Sequence, residues 1–302
     1  MRHSWIVLLA AFALPLLLNG TASALGMRVS PAGALIQDYP PGERHELDLP
    51  VTIMNDDDQA HDVNVAAVKP SAVGMKPPTG YSDIPDPGFL TFDHPVVSVP
   101  PKGKAIVKMV LAIPAGEGYR NQHWSVVLAV RSQPAKGQMV ALALYPRLEI
   151  ETASAPAERS ALWRRATPPL GDLVVTPSTV TLEKLVPGGK RQRVALRVWN
   201  NTAKPWQGEV TVIAGAEAAK KEHFGLTGGW SWLPDASWVK PREATFQVKA
   251  HDSRELLLDV AAPDAKPTWG GSWEGIVLLK SAEGPAAFAR VRLRTIAPKA
   301  AP

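Results

Sequence analysis

Apolar and polar positions alternate with a period of two through most of the chain. The stretches "RHELDLPVTIMN", "DVNVAAV", "VVSV", "AIVKMVLAI", "HWSVVLAV" and "MVALALYPRLEIE" follow one another in the first half. A period of two puts successive side chains on opposite faces of a strand, so one face meets a core and the other does not. Proline, glycine and asparagine separate these runs, as turns between antiparallel strands require. About seven such runs in roughly 125 residues predict an immunoglobulin-like sandwich. Helical spacing is confined to "AEAAKKEH" near residues 215–223 and to one short turn after Pro156.

The pattern occurs twice. Pro114 and Pro263 close the strands "MVLAIP" and "LDVAAP"; Trp124 and Trp273 then open "WSVVLAV" and "WEGIVLL", and Ser132 and Ser281 end them, all at an offset of 149. At the same offset Val97 and Val99 fall on Phe246 and Val248, and Leu142 and Leu144 on Val291 and Leu293. Nearer each start, Asn55 of "VTIMN" matches Asn200 of "LRVWN" and Pro31 matches Pro177, at offsets of 145 and 146. Two tandem copies of one fold result. The expected division is a signal peptide over 1–24, a first immunoglobulin-like domain over 25–152, an Ala/Pro-rich linker over 153–170 and a second domain over 171–298. The fold class is all-β, two tandem antiparallel β-sandwiches. A linker of this length leaves their relative placement open.

The first 24 residues add a location. Arg2 and His3 precede the apolar run "WIVLLAAFALPLLL", and "TASA" ends in a small-x-small site after Ala24. That run is short for a membrane span and fits a secretory signal, cleaved before Leu25. No later segment reaches a spanning length, so no membrane span is expected after cleavage. The chain has no cysteine, hence neither disulfides nor a lipid-anchored cysteine. Apolar residues make up 45% and charged residues 20%, which suits globular domains held by their cores. The net charge of +5 falls to +4 without Arg2, too mild for a nucleic-acid footprint. The protein is expected to be periplasmic or secreted.

Candidate chemistry is sparse. No nucleophile elbow, zinc-protease helix or phosphate loop is present, so no catalytic residue, metal site or cofactor is expected. A carboxylate pair needs no local motif and stays open. The acidic stretch 55–62, "NDDDQAHD", lacks the glycine and glutamate of an EF-hand and reads as a solvated hairpin turn. Residues 70–88 form a proline-rich connection expected to lie over one end of the first sandwich without regular structure. Trp230, Trp232, Trp238 and Trp269 stand outside the repeat frame and offer either core cover or a stacking platform for sugar rings. Trp124 and Trp273 belong to the repeat and read as core.

The order Pro41-Gly42, Val51 to Asn55, Val99 to Pro101, Ala105 to Pro114 and then Gly116 to Gly118 resembles two groups of envelope proteins. One has the periplasmic pilus-chaperone-like fold. The other is the peptidoglycan-binding domain of WxL-interacting proteins. The resemblance implies two sandwiches in tandem that work by binding. It maps no basic cleft pair of the chaperone kind, for which Arg28 is the one candidate, and the chain has no C-terminal span of the WxL kind. The expectation is an exported, non-catalytic envelope protein whose partner is an envelope protein or a cell-wall polysaccharide. It would act by edge-strand pairing or loop docking, or alternatively as a carbohydrate-binding module using the four tryptophans.

Overall fold

A computed structural model describes residues 22–24, 26–133, 142–154, 169–282 and 284–297. The expected helical turn after Pro156 and most of the signal segment lie outside them.

Each copy is a two-layer sandwich, and the strand orders coincide. In the first, Met27–Ser30, Val51–Asn55 and Lys104–Val107 form one layer, continued by Arg44–Glu46, Met109–Ala112 and Leu90–Phe92. The facing layer runs Gly33–Tyr39, Arg147–Thr152, His123–Ser132, His61–Val68, Val96–Val99. In the second copy the layers run Leu173–Thr176, Gln192–Asn200, Asp252–Val260, Val239–Pro241, and Thr179–Leu185, Ala287–Thr295, Ser272–Lys280, Trp206–Ile213, Thr245–Val248. Pairing is antiparallel throughout these layers except where Gly33–Tyr39 meets Arg147–Thr152 and Thr179–Leu185 meets Ala287–Thr295. The chain changes layers at Pro31 and Pro177, each preceded by a cis peptide bond. Proline has no N–H to leave unpaired there.

Alternation fills two cores. Val51, Ile53, Val107, Leu111, Val126 and Leu128 line the first, around the fully buried Trp124. Val194, Leu196, Leu256, Leu258, Val277 and Leu279 line the second, with Trp273 half-buried against it. Asn55 and Asn200 are both buried for the same reason. Asn55 donates its amide to the carbonyls of Gln59, Val99 and Pro100; Asn200 donates to those of Lys204, Val248 and Lys249. Each side chain closes the turn that follows its own strand and ties it to the neighbouring one. A second device also recurs: the carboxylates of Asp86 and Asp235 cap short 3-10 turns by accepting from the N–H of Gly88 and Ser237.

One expected correspondence is corrected. Trp124 pairs with Ile150 and Trp273 with Leu293, so Leu148 and Ile150, rather than Leu142 and Leu144, are the counterparts of Val291 and Leu293. The connection before the last strand is six residues longer in the first copy than the constant offset assumes. Six is even, so the inside-outside pattern survives the slip and the sequence cannot register it.

The proline-rich connection is also more ordered than expected. Pro70–Val73 form a 3-10 turn, and Ser82–Asp83 pair in parallel with Trp124 and Ser125. In the second copy the connection carries the helix Ala216–Lys221, and Ser231–Trp232 pair with Trp273 and Glu274. These segments lie over the outer faces of the sheets, and there the copies meet.

Candidate binding site

The outer faces of the two five-stranded layers pack against each other. Counterpart positions on the last strands carry opposite charges: Glu149 and Glu151 in the first copy stand where Arg292 and Arg294 stand in the second. Residues 27–152 hold 14 acidic and 11 basic side chains, whereas 171–298 hold 13 acidic and 17 basic. The seam between the sandwiches is thus complementary in sign.

Arg290 is its centre and is fully buried. Its Nε and Nη2 donate to the two oxygens of Glu151 at 2.5 and 2.6 Å, across the seam. Its Nη1 donates to Glu274 at 2.6 Å and to the Gly225 carbonyl at 3.0 Å. Glu274 also accepts from Arg292 Nε at 2.9 Å and from the Thr227 backbone and hydroxyl at 3.2 and 2.5 Å. Arg292 crosses back to Asp38 at 2.9 Å. Tyr81 donates its hydroxyl to Glu151 at 2.6 Å. Every buried charge has an opposite charge and further hydrogen bonds, the condition under which burial is tolerated.

The environment sets the protonation states. Burial alone raises the Glu151 carboxyl, but Arg290 overrides it and holds the group at about 2. Burial and the Glu151 carboxylate drive Tyr81 well up. His123 is lowered to about 4 by burial, with Arg290 adding to the effect, and is a neutral imidazole at neutral pH. Its ring stacks on Phe288 at 3.7 Å and 4°. Glu149 is raised to about 7, first by burial and then by Glu151. Phe224, Ile276, Leu278, Phe288 and Tyr81 form the apolar cluster beside the charges. Gly80, at φ +82°, sits over Phe288 so closely that a Cβ would lie 2.4 Å from its ring.

Beside this network lies a cleft of about 220 Å³ between the sandwiches. The first copy lines it with residues 80–82 and 121–123, the second with 171–175 and 285–287.

The rims of the sandwiches differ. In the first copy Val96–Val99 and Lys104–Val107 each end a sheet path, joined by the turn 100–103. Val96 and Ile106 are 57% and 52% exposed. The counterparts in the second copy are Thr245–Val248 and the start of Asp252–Val260. There Arg254 lies over the Phe246 ring at 4.6 Å, donates to the Gln247 carbonyl and pairs with Glu243 at 2.7 Å. The first-copy counterpart of Arg254 is Ala105, too short to do any of this.

The four tryptophans do not form one exposed platform. Trp238 is buried in the second core, edge-on to Trp273 at 5.6 Å. Trp232 is half-buried against the apolar seam cluster. The Trp230 ring already carries Arg294 at 5.1 Å and Arg292 at 5.7 Å. Trp269 donates to Asp264 at 3.3 Å in another loop. Arg28 does not face the seam: it pairs with Asp56 at 2.7 Å within the first copy. Three acids of the turn have a base of their own: Asp56 with Arg28, Asp57 with His61 and Asp58 with Lys102. Among the described residues no group of histidines and acids has the arrangement of a metal site. Sequence reasoning missed the seam residues altogether. Their signal was the interleaving of charge with apolar positions in "RLEIE" and "ARVRLR", with opposite sign in the two copies.

No protein-family model matches the chain, and no curated protein matches it. Solved structures similar to it include a protein of unknown function from Porphyromonas gingivalis W83, 14% identical over 89% of this chain and 99% of that one, with a TM-score of 0.32. Two others are structures of chaperones. The periplasmic chaperone SfaE is 13% identical over 89% of this chain and 100% of its own, with a TM-score of 0.31. The E. coli chaperone DraB is 11% identical over 87% and 96%, with a TM-score of 0.29.

Proposed function

We propose that the protein is an exported, non-catalytic envelope binding protein that captures a short extended segment of a protein partner on the open rim of its first sandwich. The single observation that carries this reading is the difference between the copies. One rim is closed by Arg254; the other has Ala105 in its place and exposes Val96 and Ile106. An unpaired strand edge offers N–H and C=O groups to an incoming strand, and alternate side chains of that strand meet the flanking apolar residues. The edge is four residues long and flanked by Pro95 and Pro100, so the captured segment is short. Proline and shortness both limit indiscriminate pairing at an edge. The locked seam supports the reading by holding the two sandwiches as one rigid frame. The apolar n-terminal run and its small-x-small site support export.

The test is capture from the native envelope fraction by the tagged chain and by its Val96→Lys/Ile106→Lys variant. A protein retained by the parent, lost by the folded variant, and protecting the amides of residues 96–99 and 104–107 from exchange is the expected result. Equal retention by both chains would overturn it. So would glycan fragments held without any protein, which would return attention to Trp230, Trp232 and Trp269.

A further inference from the structure

The cleft between the sandwiches holds polar side chains with unspent hydrogen-bonding capacity. Asn121, Gln122 and His123 line it and are 6%, 2% and 9% exposed. Asn121 spends its carbonyl oxygen on the Ser178 N–H at 2.9 Å, and its amide N–H groups have no acceptor among the described residues. Gln122 spends its amide on the carbonyls of Gly118 and Arg120, at 3.0 and 3.1 Å, and its side-chain oxygen has no donor among the described residues. Among the described residues neither ring nitrogen of His123 has a hydrogen-bond partner, and one face of the ring is covered by Phe288.

The set is uncharged and mixed. It offers an amide donor, a carbonyl acceptor, and a neutral imidazole that is one of each. No lysine or arginine lines the cleft, and its one charged residue, Asp172, is acidic and exposed. Leu173, Val174, Pro285, Ala286 and Ala287 supply apolar walls from the second sandwich. A carboxylate fits poorly, because it brings two acceptors and a charge to a site with no cation and with an acceptor of its own. A carboxamide brings one donor and one acceptor on neighbouring atoms. The volume of about 220 Å³ suits a group of that size rather than a large ligand.

We propose that this cleft is a binding site for a neutral carboxamide group, presented by a small molecule or by an asparagine side chain of an extended peptide. The site is separate from the open rim, so each reading stands or fails without the other.

The test uses the whole chain and three probes: propionamide, its isosteric carboxylate propionate, and a hexapeptide with one central asparagine, capped as N-acetyl and C-terminal methyl ester. The imidazole nitrogens of His123 are followed by NMR at pH 7. The expected result is saturable shifts of these nitrogens with the amide, at least about tenfold tighter than with the carboxylate, which corresponds to about 1.4 kcal/mol. His123→Phe keeps the ring stack and is expected to weaken the amide at least about tenfold. Tighter binding of the hexapeptide than of the small amide would assign the group to a peptide, and the reverse to a small molecule. Equal binding of amide and carboxylate, preference for the carboxylate, or no shift up to about 50 mM of either would overturn the proposal. The comparison on the parent chain needs no variant, so it holds even if His123→Phe does not fold.

Discussion

Replacing Arg290 by methionine is the sharpest perturbation of the seam. Methionine keeps the length and the apolar stem but removes four donated hydrogen bonds. Glu274 loses one of them and keeps Arg292 and both Thr227 bonds. Glu151 loses two and keeps Tyr81 alone. The unmet charge therefore sits on Glu151. Removing one partner of a buried pair costs about 3–5 kcal/mol. Here the penalty has a ceiling that a core ion pair lacks: the sandwiches can separate and let Glu151 rehydrate. The expected outcome at pH 7 is a fall of about 6–15 °C in the first transition, with the single unfolding event split into two. Differential scanning calorimetry reads the transitions, and small-angle scattering reads the separation. The Glu151 carboxyl, without Arg290, rises from about 2 into or above the ordinary range, because burial is then its dominant influence. Adding Glu151→Gln to Arg290→Met removes the stranded charge and is expected to recover part of the loss. One unsplit transition within about 2 °C of the parent would refute the reasoning, since it would mean that the ion network contributes nothing net.

Two further outcomes follow from the same geometry. Glu151 at about 2 and His123 at about 4 both lie below their unfolded values, so the unfolded chain binds more protons and stability falls as pH drops below about 4.5 for the first and about 6.5 for the second. Glu149 at about 7 lies above its unfolded value, so its contribution is full below about 4.5 and is lost as pH rises to about 7. His123 and Glu149 oppose each other between about 4.5 and 6.5, where the parent is expected to show a flat stability profile in chemical denaturation. Glu149→Gln unmasks the histidine, giving a profile that rises with pH across that window; an unchanged flat profile would count against both assignments. Separately, Asn55→Ala and Asn200→Ala each remove three amide bonds to backbone carbonyls and are expected to cost about 1–3 kcal/mol by denaturant titration, Asn200 slightly more because its oxygen also accepts from the Thr202 hydroxyl. A twofold or greater disparity would mean that the two turns are not held alike.

The sequence shows what is periodic and hides what depends on register. Trp124, Asn55 and Pro31 recur as Trp273, Asn200 and Pro177 because each serves its own sandwich, and a repeated local demand leaves a repeated residue. The seam has no such record, because Glu151 and Arg290 belong to different copies and meet only once the sheets stack. An even slip of six residues hid even the correspondence of their strands, since period-two alternation looks the same after it. The tryptophans show the opposite failure. Trp230, Trp232, Trp238 and Trp269 stood out as deviations from the repeat, yet Trp238 is core and Trp230 carries two arginines. The deviation with the larger consequence was a small one, Ala105 in place of Arg254. A missing side chain has no compositional signal, and its meaning depends on seeing Gln247 and Glu243 held on the other rim. The two copies share a strand order and differ in what they place at their rims and outer faces. One rim was closed with charge, the other left apolar and open, and the outer faces acquired opposite signs that bind the pair together.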